Sequence, residues 1–374
     1  MLADFASAKS IDKFLVVTDQ GLMDAGVLEP VLESIKGTGA QVEIFDGVKP
    51  EPAFSVVSAA LEKGWDAKIN GVIGIGGGSS LDVAKIVAVL LVHKAPITDC
   101  LGMGNMPGKG LPLVLIPTTT GTGSEVTQVS VLTDESDGGT KKVAYDPALL
   151  ADLVIVDPYL SMNLPPSITA VTAIDALSHA IEPFVSNRRN LIADMFAKEA
   201  ITRISRNVRE AVLRGANCPE ARYNLAIGAT IAGLALSCGG AGATHALNYP
   251  LSVRFHLGHG DSIARLLPFV MQANLLSDPA RFAMLADVMG AVPDGVKMSE
   301  REKAEASVYY LLGLCRDIGV HTGIRDLVED DKSFDSWADT ALQYSGHNIN
   351  NNPRLLNKQE IISIYQQAYE GSGQ

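Results

Sequence analysis

Four side chains with the chemistry of metal ligands occur in the central part of the sequence. Asp175 and His179 stand four residues apart in the apolar segment 167–182, so they share one face if that segment is a helix. His245 and His259 follow in Gly-rich surroundings, 14 residues apart. One carboxylate and three imidazoles form a complete nitrogen and oxygen ligand set for a divalent metal. A local ion pair or hydrogen-bonded core histidines would explain each residue singly, but the four together favour a metal site.

A glycine-rich turn, residues 74–80, follows an apolar segment and precedes a helical pattern whose first turn contains Asp82, a candidate cofactor contact. Glycines let backbone N–H groups approach a pyrophosphate closely, and a helix N-terminus adds partial positive charge there. The spacing differs from the usual dinucleotide fingerprint, because the glycines are contiguous and follow the third predicted strand. A tight turn without a ligand is the alternative interpretation.

A second polar segment, residues 116–127, also follows an apolar run and contains five threonines. One of them, Thr122, is a candidate cofactor contact. Hydroxyl groups at the carboxyl ends of strands suit sugar and phosphate oxygens. Asp19 ends the first predicted strand, where a carboxylate accepts hydrogen bonds from the ribose of NAD and repels the 2′-phosphate of NADP. We therefore expect a dinucleotide site that prefers NAD to NADP, although an Asp at this position is also a common turn cap.

The elements that must position these residues fall into two groups. Before residue 160, short apolar runs alternate with amphipathic stretches, which predicts βαβ units and a parallel sheet. The predicted strands are residues 13–19, 41–45, 71–75 and 113–116, and the predicted helices are residues 27–35, 54–63 and 79–93.

Long helical patterns dominate the second half, at residues 167–183, 191–213 and 221–238, with no convincing strand. The Pro-bearing stretch 157–166 is the predicted boundary. The expected fold class is an α/β, Rossmann-like dinucleotide-binding domain over residues 1–160, followed by an all-α domain over residues 161–374 that carries the metal ligands.

Composition excludes several classes of protein. The chain has 374 residues with Lys+Arg 30 against Asp+Glu 42, a net charge of −12, which argues against nucleic acid and anionic membranes as partners. The longest apolar run is far shorter than the roughly 20 residues of a bilayer crossing, and the N-terminus lacks a secretory signal, so we expect a cytoplasmic protein. Four widely spaced cysteines are typical of reduced thiols.

The motifs together resemble those of the iron-containing (group III) alcohol dehydrogenase family. The matching runs are G-G-G-S-x-x-D-x-A-K at residues 76–85, P-T-T-x-G-T-G-S-E at 117–125, D-A-L-S-H-A-I-E at 175–182, H-A-L at 245–247, the stretch 259–268, and N-P-R at 352–354. The resemblance implies a catalytic metal in the cleft between an N-terminal dinucleotide-binding domain and a helical domain. It also implies a homodimer or a higher homo-oligomer.

The family's functional residues transfer to specific positions of this chain. The implied metal ligands are Asp175, His179, His245 and His259, and the implied cofactor contacts are Gly76, Gly77, Gly78, Ser79, Thr118, Thr119, Thr127 and Lys141. Relatives often carry a histidine four residues after the third ligand, where this chain has Tyr249, and a proline before the last ligand, where it has Gly258. A proton relay would then use Tyr249 or shift to His256, and the pKa of an imidazole favours His256.

The expected reaction is reversible hydride transfer between NAD(H) and a small alcohol, aldehyde or ketone bound at a divalent metal that acts as a Lewis acid. Fe²⁺ is the family's usual metal, and Zn²⁺ would suit the same ligands. One alternative is a zinc-dependent polyol dehydrogenase of the glycerol type. Another is a lyase of the dehydroquinate synthase type, which is disfavoured because only Arg254 and Arg265 lie near the ligands. A binding protein that has lost the chemistry is disfavoured because all four ligand types are present.

Overall fold

The computed structural model describes residues 1–371 and divides them into two compact units. The first comprises Met1–Thr119 and Gly123–Ser161, and the second comprises Thr120–Thr122 and the chain from Met162 onward. The division after Ser161 lies one residue from the boundary expected from the sequence. The assignment of Thr120–Thr122 to the second unit was not anticipated.

The first unit is built around a five-stranded parallel sheet. Its strands are β1 (Lys13–Val17), β2 (Gln41–Phe45), β3 (Gly71–Gly76), β5 (Leu113–Pro117) and β8 (Leu153–Val154), in the spatial order β2-β1-β3-β5-β8. The three central strands β1, β3 and β5 are buried almost completely, as their apolar runs predict for a sheet covered on both faces.

Five helices belong to this unit: α1 (Leu2–Ala8), α2 (Gln20–Asp24), α3 (Glu29–Lys36), α4 (Phe54–Ala67) and α5 (Gly78–His93). The helix predicted over residues 27–35 is α3, which begins two residues later than predicted, and the short helix α2 before it was not predicted. Gly26 adopts a left-handed φ of 66°, and Pro30 lies in the first turn of α3, where its missing N–H costs no helical hydrogen bond. Helix α4 also extends four residues beyond its predicted end.

A second, three-stranded sheet was missed by the sequence interpretation. It consists of β4 (Gly102–Met103), β7 (Thr140–Tyr145) and β6 (Val129–Asp134), in that spatial order, and β6 and β7 form an antiparallel hairpin. Burial alternates along β6, but the buried positions include Ser130 and Asp134, so alternation of apolar residues does not reveal the strand. The hydroxyl of Ser130 donates to a carbonyl of α5, and the carboxylate of Asp134 accepts from Ser136 just beyond the strand.

The order of the main sheet determines where a ligand can bind. The chain moves from β1 outward to β2 and then returns to the other side of β1 with β3, so the direction reverses between β1 and β3. Ligands of open α/β sheets bind outside the carboxyl ends of the strands at such a reversal. Parallel pairing of Val17 with Gly74 and of Gly76 with Pro117 brings the ends of β1, β3 and β5 to the same edge.

The second unit has helices but no strand within the described residues 162–371, and together with the parallel sheet this confirms the expected fold class. Its helices are α6 (Pro166–Val185), α7 (Leu191–Arg214), α8 (Pro219–Gly239), α9 (Ala243–Phe255), α10 (His259–Asn274), α11 (Pro279–Met289), α12 (Glu300–Asp317), α13 (Phe334–Asn351) and α14 (Lys358–Glu370). Helix α6 is long and apolar enough to cross a bilayer by composition, but 83% of that stretch is buried inside the structure. It is the core helix of its unit.

Gly74 allows α5 to pack closely on β3. A Cβ atom at this position would lie 2.7 Å from Cβ of Ala84 and 2.8 Å from Cδ2 of Leu115. We predict that Gly74→Ala lowers the free energy of unfolding by about 1–3 kcal/mol, the usual cost of overpacking a core. Chemical denaturation measures the change.

Gly313→Ala is the matched control, because Gly313 lies inside α12 with open space around its Cα. That substitution should stabilise the protein by about 0.5–1 kcal/mol through the better helix propensity of Ala. Equal stability of Gly74→Ala and the unsubstituted protein would contradict the packing argument.

Candidate active site

Helix α6 presents three ionisable side chains on one buried face. Asp175, His179 and Glu182 stand at i, i+4 and i+7, so two helical turns bring them into one row. Their side chains are only 3%, 6% and 5% exposed. Most other residues of the helix are apolar, and buried carboxylates are costly unless they find partners. The segment therefore folds as a core helix whose three ionisable side chains need hydrogen-bonding or charged partners from other parts of the unit.

His245 enters this site from the first turn of α9. The chain bends by 109° between α8 and α9, and the bend contains Gly240 with a φ of 77°. A Cβ atom at Gly242 would lie 3.1 Å from Oε1 of Glu182, so a side chain there would press on this carboxylate, which glycine avoids. The Gly-rich patch that precedes His245 in the sequence is thus the turn that aims the imidazole at α6.

His259 enters from the first residue of α10. A Cβ atom at the next residue, Gly260, would lie 2.5 Å from the carbonyl oxygen of Val171 in α6. The backbone of α10 therefore touches the backbone of α6, and the imidazole reaches Asp175. The side chain of His259 is 42% exposed and is the most accessible of the four predicted ligands.

The four predicted metal ligands converge. Nε2 of His179 lies 3.6 Å and Nε2 of His259 lies 3.5 Å from Oδ1 of Asp175. The ring of His245 lies between the other two imidazoles, at centroid distances of 5.0 Å and 5.4 Å. One donor atom from each of the four residues lies within 4.8 Å of the others. The structure therefore brings together the whole ligand set that the sequence predicted.

Oδ1 of Asp175 and Nε2 of His245 are buried atoms of this cluster without a hydrogen bond to any residue between 1 and 371, and Nδ1 of His179 is a third. Buried polar atoms are normally satisfied, so such orphans need an explanation. The oxygen of Asp175 and Nε2 of His245 are lone-pair donors of the kind that binds a divalent cation. The cluster fits a metal ion on this observation.

Burial and neighbouring charges shift the pKa values of the cluster in different directions. Burial alone would raise the pKa of Asp175, but the charges of His179, His259 and His245 outweigh it and hold this pKa below its usual value. Burial lowers the pKa of His179, against the opposing effect of Asp175. Burial would also lower the pKa of His245, but the charge and hydrogen bond of Glu182 outweigh it and raise this pKa. A metal ion requires an ionised carboxylate and neutral imidazoles, so its binding would displace any proton that the histidines hold.

Glu182 is a functional residue that the sequence analysis quoted within a motif but did not assign. Its Oε2 lies 2.5 Å from Nδ1 of His245, and its two oxygens accept hydrogen bonds from the backbone N–H groups of Gly242 and Thr244 at 2.8 Å and 2.7 Å. Burial would raise the pKa of Glu182, but the charge of His245 and these hydrogen bonds hold it below its usual value. Glu182 therefore orients the ring of His245 so that Nε2 faces the other ligands.

The predicted pyrophosphate cradle lies at the edge of the main sheet. Gly76 has a φ of 149°, and a Cβ atom there would lie 2.6 Å from Oγ of Ser80. Gly77 is the N-cap residue of α5 and has no side chain to cap it, so the first N–H groups of the helix, at Gly78 and Ser79, remain available to an anion. These positions lie at the carboxyl end of β3, beside the reversal in strand order.

The threonine segment adjoins this turn. The N–H of Thr118 donates to the carbonyl of Gly76 at 2.9 Å, and a Cβ atom at Gly77 would contact Thr119 at 3.4 Å. Thr127 is different, because its buried hydroxyl accepts from Nζ of Lys85 and lies within reach of the carbonyl of Ser124. Thr122 belongs to the second unit. The structure thus groups only part of the predicted threonine set with the glycine turn.

Asp19 follows β1 and caps α2. Its Oδ1 accepts the N–H of Leu22 at 3.0 Å, so the turn-cap interpretation of this residue is correct for that oxygen. An N-cap role leaves a second carboxylate oxygen at the carboxyl end of β1. A role for Asp19 in cofactor selection remains a prediction.

Asp82 and Lys141, two further predicted cofactor contacts, are engaged within the protein. The carboxylate of Asp82 accepts hydrogen bonds from Oγ of Ser124 at 2.6 Å and from the N–H of Val131 at 2.9 Å. Nζ of Lys141 lies 2.7 Å from Oε1 of Glu51, in an ion pair in which the side chain of Lys141 is 15% exposed. Sequence spacing gave no sign of these internal partners, because they are distant in the chain.

The two residues considered for a proton relay occupy different surroundings. Tyr249 lies one helical turn after His245 on α9 and is half-buried, with its ring 5.6 Å from that of Tyr344. His256 ends α9 with a left-handed φ of 52° and is exposed. The predicted loop around His256 is therefore a helix end, and both residues remain candidates.

Two family models match the chain. A model described as "Iron-containing alcohol dehydrogenase" matches residues 1–158, and one described as "Fe-containing alcohol dehydrogenase family, C-terminal" matches residues 169–369. The two matches cover most of both units.

Curated relatives and solved structures agree with these matches. The chain is 38% identical to long-chain-alcohol dehydrogenase 1 of Geobacillus thermodenitrificans over 361 residues, 96% of this chain and 90% of that protein. It is 34% identical to 1,3-propanediol dehydrogenase of Citrobacter freundii over 359 residues, 96% of this chain and 91% of that protein. A solved 1,3-propanediol oxidoreductase superposes with a TM-score of 0.93 at 34% identity, over 98% of this chain and 94% of that one. The chain belongs to the iron-containing alcohol dehydrogenase family.

Proposed function

We propose that this oxidoreductase catalyses reversible hydride transfer between NAD(H) and a small alcohol, aldehyde or ketone at a divalent metal site. The observation that carries the proposal is the convergence of Asp175, His179, His245 and His259, whose donor atoms lie within 4.8 Å of one another. The orphaned atoms of Asp175 and His245 support a cation among them. Fe²⁺ is the proposed metal, and the three-nitrogen, one-oxygen set also suits Zn²⁺.

NAD is the proposed cofactor. The uncapped first turn of α5 at Gly77, Gly78 and Ser79 suits a pyrophosphate, and Thr118 and Thr119 adjoin it. Asp19 lies at the carboxyl end of β1, the strand next to β3, where its charge would repel a 2′-phosphate. NADP is therefore the less favourable dinucleotide.

The bound metal would act as a Lewis acid on the substrate oxygen, and the bound nicotinamide would exchange the hydride. The protein's own groups supply position and charge. Asp175 remains ionised in its buried setting, Glu182 fixes the ring of His245, and Gly260 keeps His259 close to α6. The proton of an alcohol substrate needs an acceptor on the way to solvent, and we propose His256 for this role, with Tyr249 as the alternative.

The surroundings of Arg265 disfavour the lyase alternative. That guanidinium is buried and paired with Asp261 at 3.3 Å and with Asp326 at 2.7 Å, and it donates to the carbonyl of Gly323. Its charge is therefore neutralised within the protein and is not offered to a substrate phosphate. Arg254, the other basic residue near the ligands, is exposed and lies over the ring of Phe255.

The names of the relatives indicate the substrate class. They include a long-chain-alcohol dehydrogenase, 1,3-propanediol dehydrogenases and a lactaldehyde reductase, all of which act on alcohol or aldehyde groups. We propose the same functional group here, in a homodimer or higher homo-oligomer located in the cytoplasm. The choice between simple alcohols and polyols requires a substrate panel.

The decisive experiment combines metal analysis with a substrate panel. Protein loaded anaerobically with Fe²⁺ or Zn²⁺ should bind about one ion per chain, the stoichiometry of a single four-ligand site, and should oxidise NADH with short aldehydes. His259→Ala should reduce metal affinity about 10- to 100-fold or more, because it removes one ligand outright. Mass spectrometry of the bound metal and NADH absorbance measure the two effects.

His321→Ala is the matched control, since His321 is exposed and lies outside the ligand cluster. It should retain both metal and activity. Undiminished metal content in His259→Ala would remove that residue from the site, and absence of aldehyde reduction by every metal form would contradict the proposed reaction.

Glu182→Gln tests how His245 is held. The amide of Gln places an NH₂ group where a carboxylate oxygen now accepts a backbone N–H group. Two donors then face each other, and the ring of His245 loses its fixed orientation. We predict a metal affinity lower by about 10- to 100-fold, as is typical of partners that orient metal ligands. Competition with a fluorescent chelator measures the affinity without any activity assay.

Glu199→Gln is the control for this substitution, because Glu199 forms an exposed ion pair with Arg203 on α7. Its metal affinity should equal that of the unsubstituted protein. If Glu182→Gln binds metal equally well, the hydrogen bond to Nδ1 of His245 has no role in metal binding.

Asp19→Asn tests cofactor selection while it preserves the helix cap. The amide oxygen of Asn still accepts the N–H of Leu22, but the negative charge is removed. We predict that the preference for NADH over NADPH, measured as the ratio of kcat/KM values, falls about tenfold, mainly through better use of NADPH.

Asp24→Asn, on the exposed end of the same helix, should leave the ratio unchanged. A preference for NADPH in the unsubstituted enzyme, or an unchanged ratio in Asp19→Asn, would reduce Asp19 to a turn cap.

A further inference from the structure

Lys85 is a fully buried cation that the proposed reaction does not use. It lies two turns into α5, the helix that begins at the glycine turn, and its side chain is 0% exposed. Lysine is almost never buried completely unless it is paired, because the charge loses its hydration. The complete burial of Lys85 beside the proposed cofactor site therefore needs an explanation.

Three oxygens receive the three N–H groups of the Lys85 ammonium. Nζ donates to Oγ of Ser124 at 2.7 Å, to Oγ1 of Thr127 at 3.2 Å and to the carbonyl of Val129 at 2.8 Å. An ammonium group has three donors, so its hydrogen-bonding capacity is fully used. All three acceptors belong to one segment, residues 124–129, which is about 40 positions further along the chain.

Asp82, one turn earlier on α5, holds the same segment from a second side. Its Oδ1 accepts from Oγ of Ser124, its Oδ2 accepts from the N–H of Val131, and its carbonyl oxygen accepts from Oγ of Ser130 at 3.0 Å. Oδ1 also lies 3.8 Å from Nζ of Lys85. Helix α5 thus binds residues 124–131 by six hydrogen bonds from two of its side chains and one of its carbonyls.

The bound segment is continuous with the proposed cofactor site. Helix α5 begins at Gly78, in the proposed pyrophosphate cradle, and the bound segment includes Thr127 and follows the threonines that adjoin the cradle. A shift of residues 124–129 relative to α5 would therefore move the threonine segment relative to the glycine turn. Lys85 and Asp82 fix these two parts of the proposed site to each other through the interior of the first unit.

We propose that Lys85 is a positioning residue for the dinucleotide, which acts by holding the threonine segment in register with the glycine turn. This inference rests on the proposed function, because it assumes that NAD(H) binds at these two segments. Lys85 does not touch the cofactor in this scheme. It sets the relative position of the groups that do.

Energetic considerations favour such a role over simple filling of the core. An apolar side chain of the same length would fill the space without the cost of burying a charge, and replacement of buried ion pairs by apolar residues is often neutral or stabilising. The ammonium group differs from an apolar side chain in that its three hydrogen bonds fix the position of three acceptors in residues 124–129. Burial lowers the pKa of Lys85 to about 8, against the opposing charges of Asp82 and Glu125, so the amine is protonated at neutral pH.

The test measures NADH binding to the metal-loaded protein by fluorescence titration. Lys85→Met retains most of the side-chain volume and removes the three hydrogen bonds. We expect its Kd for NADH to rise about tenfold or more, since hydrogen bonds to charged groups are individually strong. KM for NADH should rise more than kcat falls, and the metal content, which depends on the second unit, should not change.

Val87→Ala is the matched control, because Val87 is a fully buried residue of the same helix within the apolar core. It should lower the thermal midpoint without changing the Kd for NADH. A purely structural role of Lys85 predicts that the two variants behave alike. That result would overturn the proposal.

Ser124→Ala provides the second variant in case Lys85→Met does not fold. It removes one acceptor of Lys85 and one donor to Asp82, and it should raise the Kd for NADH several-fold. If Lys85→Met does fold, the double variant should bind NADH no worse than Lys85→Met alone, because both changes break the same network. Failure of the unsubstituted protein to bind NADH would contradict the proposed function, whereas normal binding by Lys85→Met or, if it does not fold, by Ser124→Ala would contradict only the positioning role.

Discussion

The burial of two carboxylates on one apolar helix is the constraint on which the rest of the second unit depends. Asp175 and Glu182 lie on α6, where water does not solvate them, and each must be neutralised or hydrogen-bonded by groups from other helices. Glu182 obtains three N–H groups from the start of α9, and Asp175 faces three imidazoles. The bend between α8 and α9 brings the partners of Glu182 to it, and the close contact of α10 with α6 brings His259 to Asp175.

Local periodicity was sufficient to predict part of this arrangement. Asp175 and His179 are neighbours on a helix, so their spacing revealed a shared face. His245 and His259 lie on two other helices, and their assignment to the same site came from their chemistry and was then supported by the family resemblance. The carboxyl-end position of the glycine turn also followed from the alternation of strands and helices. These features were predictable because they depend either on neighbouring residues of one helix or on the general geometry of a parallel α/β sheet.

The features that were missed depend on contacts distant in the sequence. Glu182 looks like an ordinary helical glutamate until the 109° bend brings Gly242 and Thr244 to it. Strand β6 was missed because its inward positions include Ser130 and Asp134, which are satisfied by groups beyond the strand, so hydrophobic alternation is absent. Lys85 reads as a solvated helical lysine, and only the fold shows that it is enclosed. Polar residues with tertiary partners are the ones that sequence periodicity interprets least well.

The glycine contacts on α6 have a consequence for how this enzyme can lose or change its activity through mutation. A Cβ atom at Gly121 would lie 2.8 Å from Cβ of Thr172, and one at Gly260 would lie 2.5 Å from the carbonyl oxygen of Val171. Neither position has space for a methyl group. A substitution at either glycine leaves all four ligands present yet displaces the backbone beside them. Inactive natural or laboratory variants with an intact ligand set are therefore expected to cluster at these two positions, and a search for altered metal preference can begin there without touching a donor atom.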